Sequence, residues 1–116
     1  MTTPASGQPL VKELLRRVPE FAAVSDDDPA LPYVVFGSFA LFVRHRARDA
    51  TSSQLLARAF AFVNDVAMST DPDELNLLTV GFLEVLTDDE DCIRLVEPLL
   101  SAETSALLRR VREWWG

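Results

Sequence analysis

The residues of this chain best suited to do chemistry are its clustered carboxylates: Asp88, Asp89, Glu90 and Asp91 in one run, and Asp73 with Glu74 in another. Such groups can hold a divalent cation, exchange protons as a catalytic pair, or meet the cations of a partner. The first two uses find little support. Adjacent residues on a helical turn point apart instead of converging on one ion. Both clusters also stand at expected helix starts, where capping and the helix dipole account for negative charge. Asp26, Asp27 and Asp28 form a third group, but the ligand spacing and terminal glutamate of an EF-hand are missing, so a solvated loop is expected.

Other reactive side chains fare no better. His45 is the only histidine and lies among Arg44, Arg46 and Arg48, with no serine or cysteine tied to it by spacing. A surface or helix-capping role is expected for it. Cys92 falls in an apolar stripe and reads as a small core residue; as the single cysteine it also fits a reducing cytoplasm. There is no Gly-rich phosphate loop, no HExxH and no CxxC. The sequence therefore predicts no catalytic residue, no metal site and no cofactor.

Contact with a partner is left. Residues 65–97 hold ten carboxylates against Arg94 alone, a net −9 in a chain of −7, so the rest of the chain nets +2. Nucleic-acid binding needs basic excess on a face and is disfavoured. An acidic surface suits a basic protein partner, captured fast and with strong salt dependence. Asp88, Asp89, Glu90 and Asp91 are the first candidates for that contact, with Asp73 and Glu74 next. Reversing the charge of Asp89 and Glu90 is expected to slow association and leave thermal stability nearly unchanged.

The elements that must position these groups are helices. Residues 71–86, DPDELNLLTVGFLEVL, form the helix around which the chain is organised. Asp71 is its N-cap, Pro72 its first residue, and Glu74 is spaced to return a bond as in a capping box. At 100° per residue Leu75, Leu78, Phe82, Val85 and Leu86 share one face, while Asn76, Leu77, Val80 and Glu84 share the other. That second face is either covered or a contact surface. Asn76 and Glu84 are expected as polar residues of the core, meeting arginines or backbone groups of neighbouring helices. Gly81, costly in a helix interior, marks a close crossing, and Gly37 could mark another.

Around it the pattern gives an amphipathic helix through Leu10, Val11, Leu14, Leu15 and Val18, ended by Pro19, with Phe21 and Val24 anchoring the connection. Residues 33–43 read as a second buried helix with a basic end. A third helix, capped by Thr51 with Gln54, buries Leu55, Leu56, Ala59, Phe62, Val63 and Val66, with Arg58 and Asp65 together on its other side. Thr87 with Glu90 caps a short helix disturbed near Pro98, and Ser101 caps the last, whose stripe is Leu107, Leu108, Val111, Trp114 and Trp115. The expected fold is all-α: five or six helices in one compact bundle, antiparallel hairpins around a buried central helix, with residues 1–7 flexible and 8–116 a single domain. At 116 residues and 48% hydrophobic composition a packed core is affordable. No signal peptide or membrane span is visible, so a cytoplasmic protein is expected.

The run from Phe60 to Ala67 (FAFVNDVA), followed by Asp71 and Asp73 and then by NLLTVGFLEVLTD from Asn76 to Asp88, resembles a family of small helical bacterial proteins. Its members carry a segment like FxFxNxMxxSxDxxxxNLLxVGxLExLTD; Val66 here replaces the methionine. The resemblance covers residues 58–115 well. It implies an uncharacterised family similar to the small immunity proteins of bacterial toxin systems, and hence a non-enzymatic protein that neutralises a basic toxin domain. The alternative expectation is a structural or regulatory homodimer formed through Leu77 and Val80. A small-ligand carrier would need a cavity lined by Asn76, Glu84 and His45.

Overall fold

The computed structural model describes residues 7–115, with Trp115 described in its backbone alone. Among the described residues there are seven helices and no strand, the all-α class the sequence predicts. Of the N-terminal stretch expected to be flexible, residues 1–6 lie outside the described residues, and Gly7 opens α1 (Gly7–Arg17). Gly7 is packed closely: a Cβ there would come 2.6 Å from the Cβ of Pro32.

Pro19 ends α1 and also starts a further helix, α2 (Pro19–Val24), because a proline at the first position loses no hydrogen bond. This helix raises the number above the five or six expected. Phe21 anchors it in the core, whereas Val24 is exposed. α3 (Pro32–Arg46) likewise opens on proline and ends in Arg44, His45 and Arg46, which suit the negative end of its dipole. It buries Val35, Phe36, Phe39, Ala40 and Val43 but leaves Tyr33, Val34 and Leu41 about half exposed. The expectation of a wholly buried helix is thus corrected: α3 has one open face.

α4 (Ser53–Ala67) follows a 3-10 turn, Ala50–Ser52. The cap there is Asp49, not Thr51 with Gln54: Asp49 Oδ1 accepts from the Thr51 amide at 2.9 Å and from its hydroxyl at 2.7 Å. All six apolar residues predicted for its core face are buried. Arg58 and Asp65 do not pair; Arg58 reaches Glu20, and Asp65 accepts from Arg17 at 2.6 Å. These bonds fasten α4 to α2 and α1.

The central helix, α5, is one continuous run of three segments: α-helical Pro72–Asn76, π-helical Leu77–Leu83 and α-helical Glu84–Thr87. It packs against α1, α3 and α4 and against the last helix. α6 (Glu90–Val96) ends in a 3-10 turn, Glu97–Leu99, at Pro98. α7 (Ala102–Trp115) is capped by Ser101, whose hydroxyl accepts from the Thr104 amide at 3.1 Å.

Aromatic rings tie the layers together. Phe39 of α3 stacks on Phe82 of α5 at 5.1 Å, Phe21 of α2 lies 5.3 Å from Phe39, and Phe60 of α4 meets Phe82 edge-on at 6.2 Å. Rings in tilted or offset contact contribute beyond their buried area. One polar node joins α4 to α7. Asn64 donates to the Leu99 carbonyl at 3.0 Å and accepts from the Ser101 amide at 3.0 Å and the fully buried Thr104 hydroxyl at 2.7 Å. Among the described residues, no helix is long and apolar enough to cross a membrane.

Candidate functional site

The π segment decides which face of α5 is available. In a π turn the amide bonds five residues back, as Glu84 N–H does to the Thr79 carbonyl. The wider turn changes the angle between successive side chains, so a 100° projection fails across it. Leu77 and Leu83 are turned inward and buried together with Leu78, Gly81, Phe82 and Leu86. Leu77 is 2% exposed, so the surface expected from Leu77 and Val80 loses its leucine, and only Val80, at 42%, stays open. The Thr79 hydroxyl donates to the Leu75 carbonyl at 2.7 Å, inside the same helix.

Beside this strip α7 forms the second wall of a groove of about 640 Å³. Leu75, Val80, Leu107 and Val111 supply its apolar lining, and Trp114 stands at its edge, 86% exposed. Trp114 was expected in the core stripe; Leu108 and Val111 fill that role, and the Trp114 ring is left outside. Asn76, Thr79 and Glu84 add polar groups, and Arg110 and Glu113 come from α7. Asn76 is exposed, not a core polar residue: its Nδ2 donates to the Tyr33 hydroxyl of α3 at 2.5 Å. Glu84 is half-buried. His45 is exposed and takes no part in this groove, so the three residues of the ligand-carrier expectation are not brought together.

The carboxylate clusters lie at the two ends of α5, roughly 20 Å apart by helical rise. Asp71 caps α5 as predicted, accepting from the Asp73 amide at 2.9 Å. Glu74 closes the motif indirectly: it accepts from the Ser69 hydroxyl at 2.6 Å, and Ser69 Oγ accepts from the Asp71 amide at 3.0 Å. Asp73 and Asp88 are exposed.

Asp89 is a different kind of group. It, not Thr87, caps α6, accepting from the Cys92 amide at 3.1 Å. It also accepts from Arg48 at 2.8 Å and lies 3.4 Å from Arg44 Nε, with only 12% of its side chain exposed. The hydrogen bond from Arg48, then that from the Cys92 amide, holds its carboxyl well below the usual carboxylate range. Asp89 therefore binds α3 to α6 within the fold, and the expectation that it can be reversed without loss of stability is corrected. Glu90 pairs with Arg112 of α7 at 2.9 Å, and Asp91 pairs with Arg94. Burial pushes the Cys92 thiol up to about 11, which fits its predicted place in the core. Among the described residues, no group of three or more His, Cys, Asp or Glu side chains is placed to hold a metal ion.

One family model matches the chain: the domain of unknown function DUF7674, over residues 11–116. The chain belongs to this family. No curated protein and no solved structure matches it. The DUF7674 match takes in most of α1 and every later helix, so both walls of the groove and both carboxylate clusters fall within the family domain. Of the α5 half of the groove, Asn76, Val80 and Glu84 were legible as members of an outer face, whereas that face also took in the buried Leu77, and Leu75 of the lining was assigned to the core face. The α7 half was missed, because Leu107 and Trp114 look like core positions in a helical repeat. Arg44, Arg48 and Arg112 were missed as partners of the acidic run, since Arg48 lies 41 residues from Asp89, Arg112 lies 22 from Glu90, and Arg44 is further from Asp89 still.

Proposed function

We propose that this DUF7674 chain is a non-enzymatic protein that works by binding another protein on the open face of α5 and α7. The observation that carries this reading is the apolar groove with Val80 and Trp114 uncovered at its rim. Exposed apolar surface rimmed by polar groups is characteristic of contact sites, and tryptophan is among the residues that dominate such contacts. The finer form of the proposal is immunity-like: capture of a basic protein, with a toxin domain as the class to which the sequence resemblance points. The net charge of −7 supports it. Within that reading the exposed Asp73 and Asp88 steer the encounter, Glu90, Asp91 and Glu74 contribute at the edges, and Asp89 acts by holding the fold.

The test is affinity capture from the source cells at low and high salt, with wild-type and Val80→Asp baits compared by mass spectrometry. A basic protein retained by the wild type, released by salt and lost with Val80→Asp is the expected result. If both baits retain the same protein equally, the groove is not its site. Recovery of the bait alone, with sedimentation as a dimer, would turn the reading toward the homodimer.

A further inference from the structure

The groove selects among binding partners by shape and by charge. Its two walls are helices, α5 and α7, and the channel between two helices is the shape into which the apolar stripe of a third packs. Helix-in-groove recognition uses apolar residues at i, i+3 or i+4, and i+7, and the row of Leu75, Val80 and Leu107 offers the matching surface. Trp114 at the edge supplies a large ring that such a helix would cover.

Charge narrows the class. Arg110 is the one cation among the described residues lining the groove, against Glu84 and Glu113, and Asp73 is exposed on the first turn of α5. The surrounding segment, residues 65–97, stays negative after the arginines from outside it (Arg17, Arg44, Arg48 and Arg112) are paired with Asp65, Asp89 and Glu90. A second copy of the chain docked through the same groove would bring a second set of these carboxylates onto this face. Like charges brought together at an interface are unfavourable, whereas lysines and arginines flanking an apolar stripe gain from the same field. We propose that the groove is a receptor for a cationic amphipathic helix carried by another protein. This rests on the protein-binding reading above and names the chemistry of its partner.

The test uses three synthetic peptides without tryptophan and the full chain at low salt. One is a leucine/lysine helix with leucines at i, i+3, i+4 and i+7. The second has the same composition with the stripe scrambled, and the third replaces lysine by glutamate. Binding is followed by tryptophan emission, with Trp114→Phe assigning the signal. The striped cationic peptide is expected to shift the emission to the blue and saturate, and the other two to do neither. Val80→Asp is expected to weaken binding about tenfold, while Asp26→Asn in the remote loop leaves it unchanged. Val80 and Trp114 are exposed, so the variants should fold, and their melting curves check this. Equal binding of the scrambled peptide would reduce the effect to charge adsorption and overturn the proposal. Equal binding of the glutamate peptide would overturn it as well. If a cellular partner is captured through Val80 but the striped peptide does not bind, this inference fails and the protein-binding reading stands; if neither occurs, both fail.

Discussion

Gly37 of α3 and Gly81 of α5 face each other at a single crossing: a Cβ on Gly37 would lie 3.8 Å from the Gly81 carbonyl oxygen. The crossing is asymmetric. At Gly37 an added methyl meets only ordinary van der Waals contact, but at Gly81 it would stand 3.1 Å from the Phe36 Cβ and 3.3 Å from Leu77 Cδ1, both in buried side chains. Alanine at Gly37 should therefore gain helix propensity and stabilise the fold by up to about 1 kcal/mol. At Gly81 the same gain is outweighed by overpacking, which costs roughly 1–3 kcal/mol, so Gly81→Ala should be destabilising. Denaturant midpoints of the two variants check this; shifts of the same sign would mean that the crossing is not as tight as its geometry.

Asn64 satisfies three backbone or hydroxyl groups at the α4–α7 contact. Removing it leaves the Thr104 hydroxyl without its Asn64 acceptor in a fully buried position and frees two backbone groups of the 97–101 connection. The cost of stranding such groups is about 1–3 kcal/mol. Asn64→Ala is expected to lower stability by roughly 2 kcal/mol on this basis, and amide exchange should quicken first at the start of α7. Uniform quickening across the domain would show that α7 does not open on its own.

These two sites also mark what the sequence made legible. Helical periodicity located α4, α5 and α7, and the side chains of Asp71 and Ser101 marked true caps, because those are local features of a few residues. The close crossing at Gly81 was legible for the same reason. The π segment was not: a periodic reading assumes one angle per residue, and it put Leu77 on the outer face. Nor was the fate of the acidic run. Whether Asp89 faces water or an arginine depends on where α3 ends, and a local pattern does not encode that. Trp114 misled in the opposite sense, since its spacing continues the core stripe one turn past the point where the core stops.

Cys92 is fully buried, and its thiol is pushed up to about 11 by loss of water, with the Asp89 carboxylate adding to the effect. The thiolate is the reactive form, so at pH 8 the native chain should react with Ellman's reagent far more slowly than a free cysteine of pKa about 8.5. Labelling in increasing urea should follow the unfolding curve. Full reaction before the transition begins would place the thiol at a local opening of α6.

Asp89 and Glu20 make stability fall in acid, and the direction follows from their depressed carboxyls. The bond from Arg58 brings Glu20 down to about 2, and the Arg48 bond brings Asp89 below the usual range. Ordinary carboxyls titrate near pH 4 in the unfolded chain, so each contribution is complete above about pH 4.3. It is lost as the pH drops from there toward the folded values. Asp89→Asn retains an acceptor for the Cys92 amide but removes the charge facing Arg44 and Arg48. At pH 7 it should lower the melting temperature by about 4 °C, and the gap to the wild type should stay constant down to about pH 4 and narrow below it. Asp73→Asn, at an exposed position on the first turn of α5, should leave the melting curve nearly unchanged. The pair separates the two duties that an acidic sequence conflates. If Asp89→Asn melts like the wild type at pH 7, the clamp between α3 and α6 contributes nothing, and Asp89 is again free to be a contact residue.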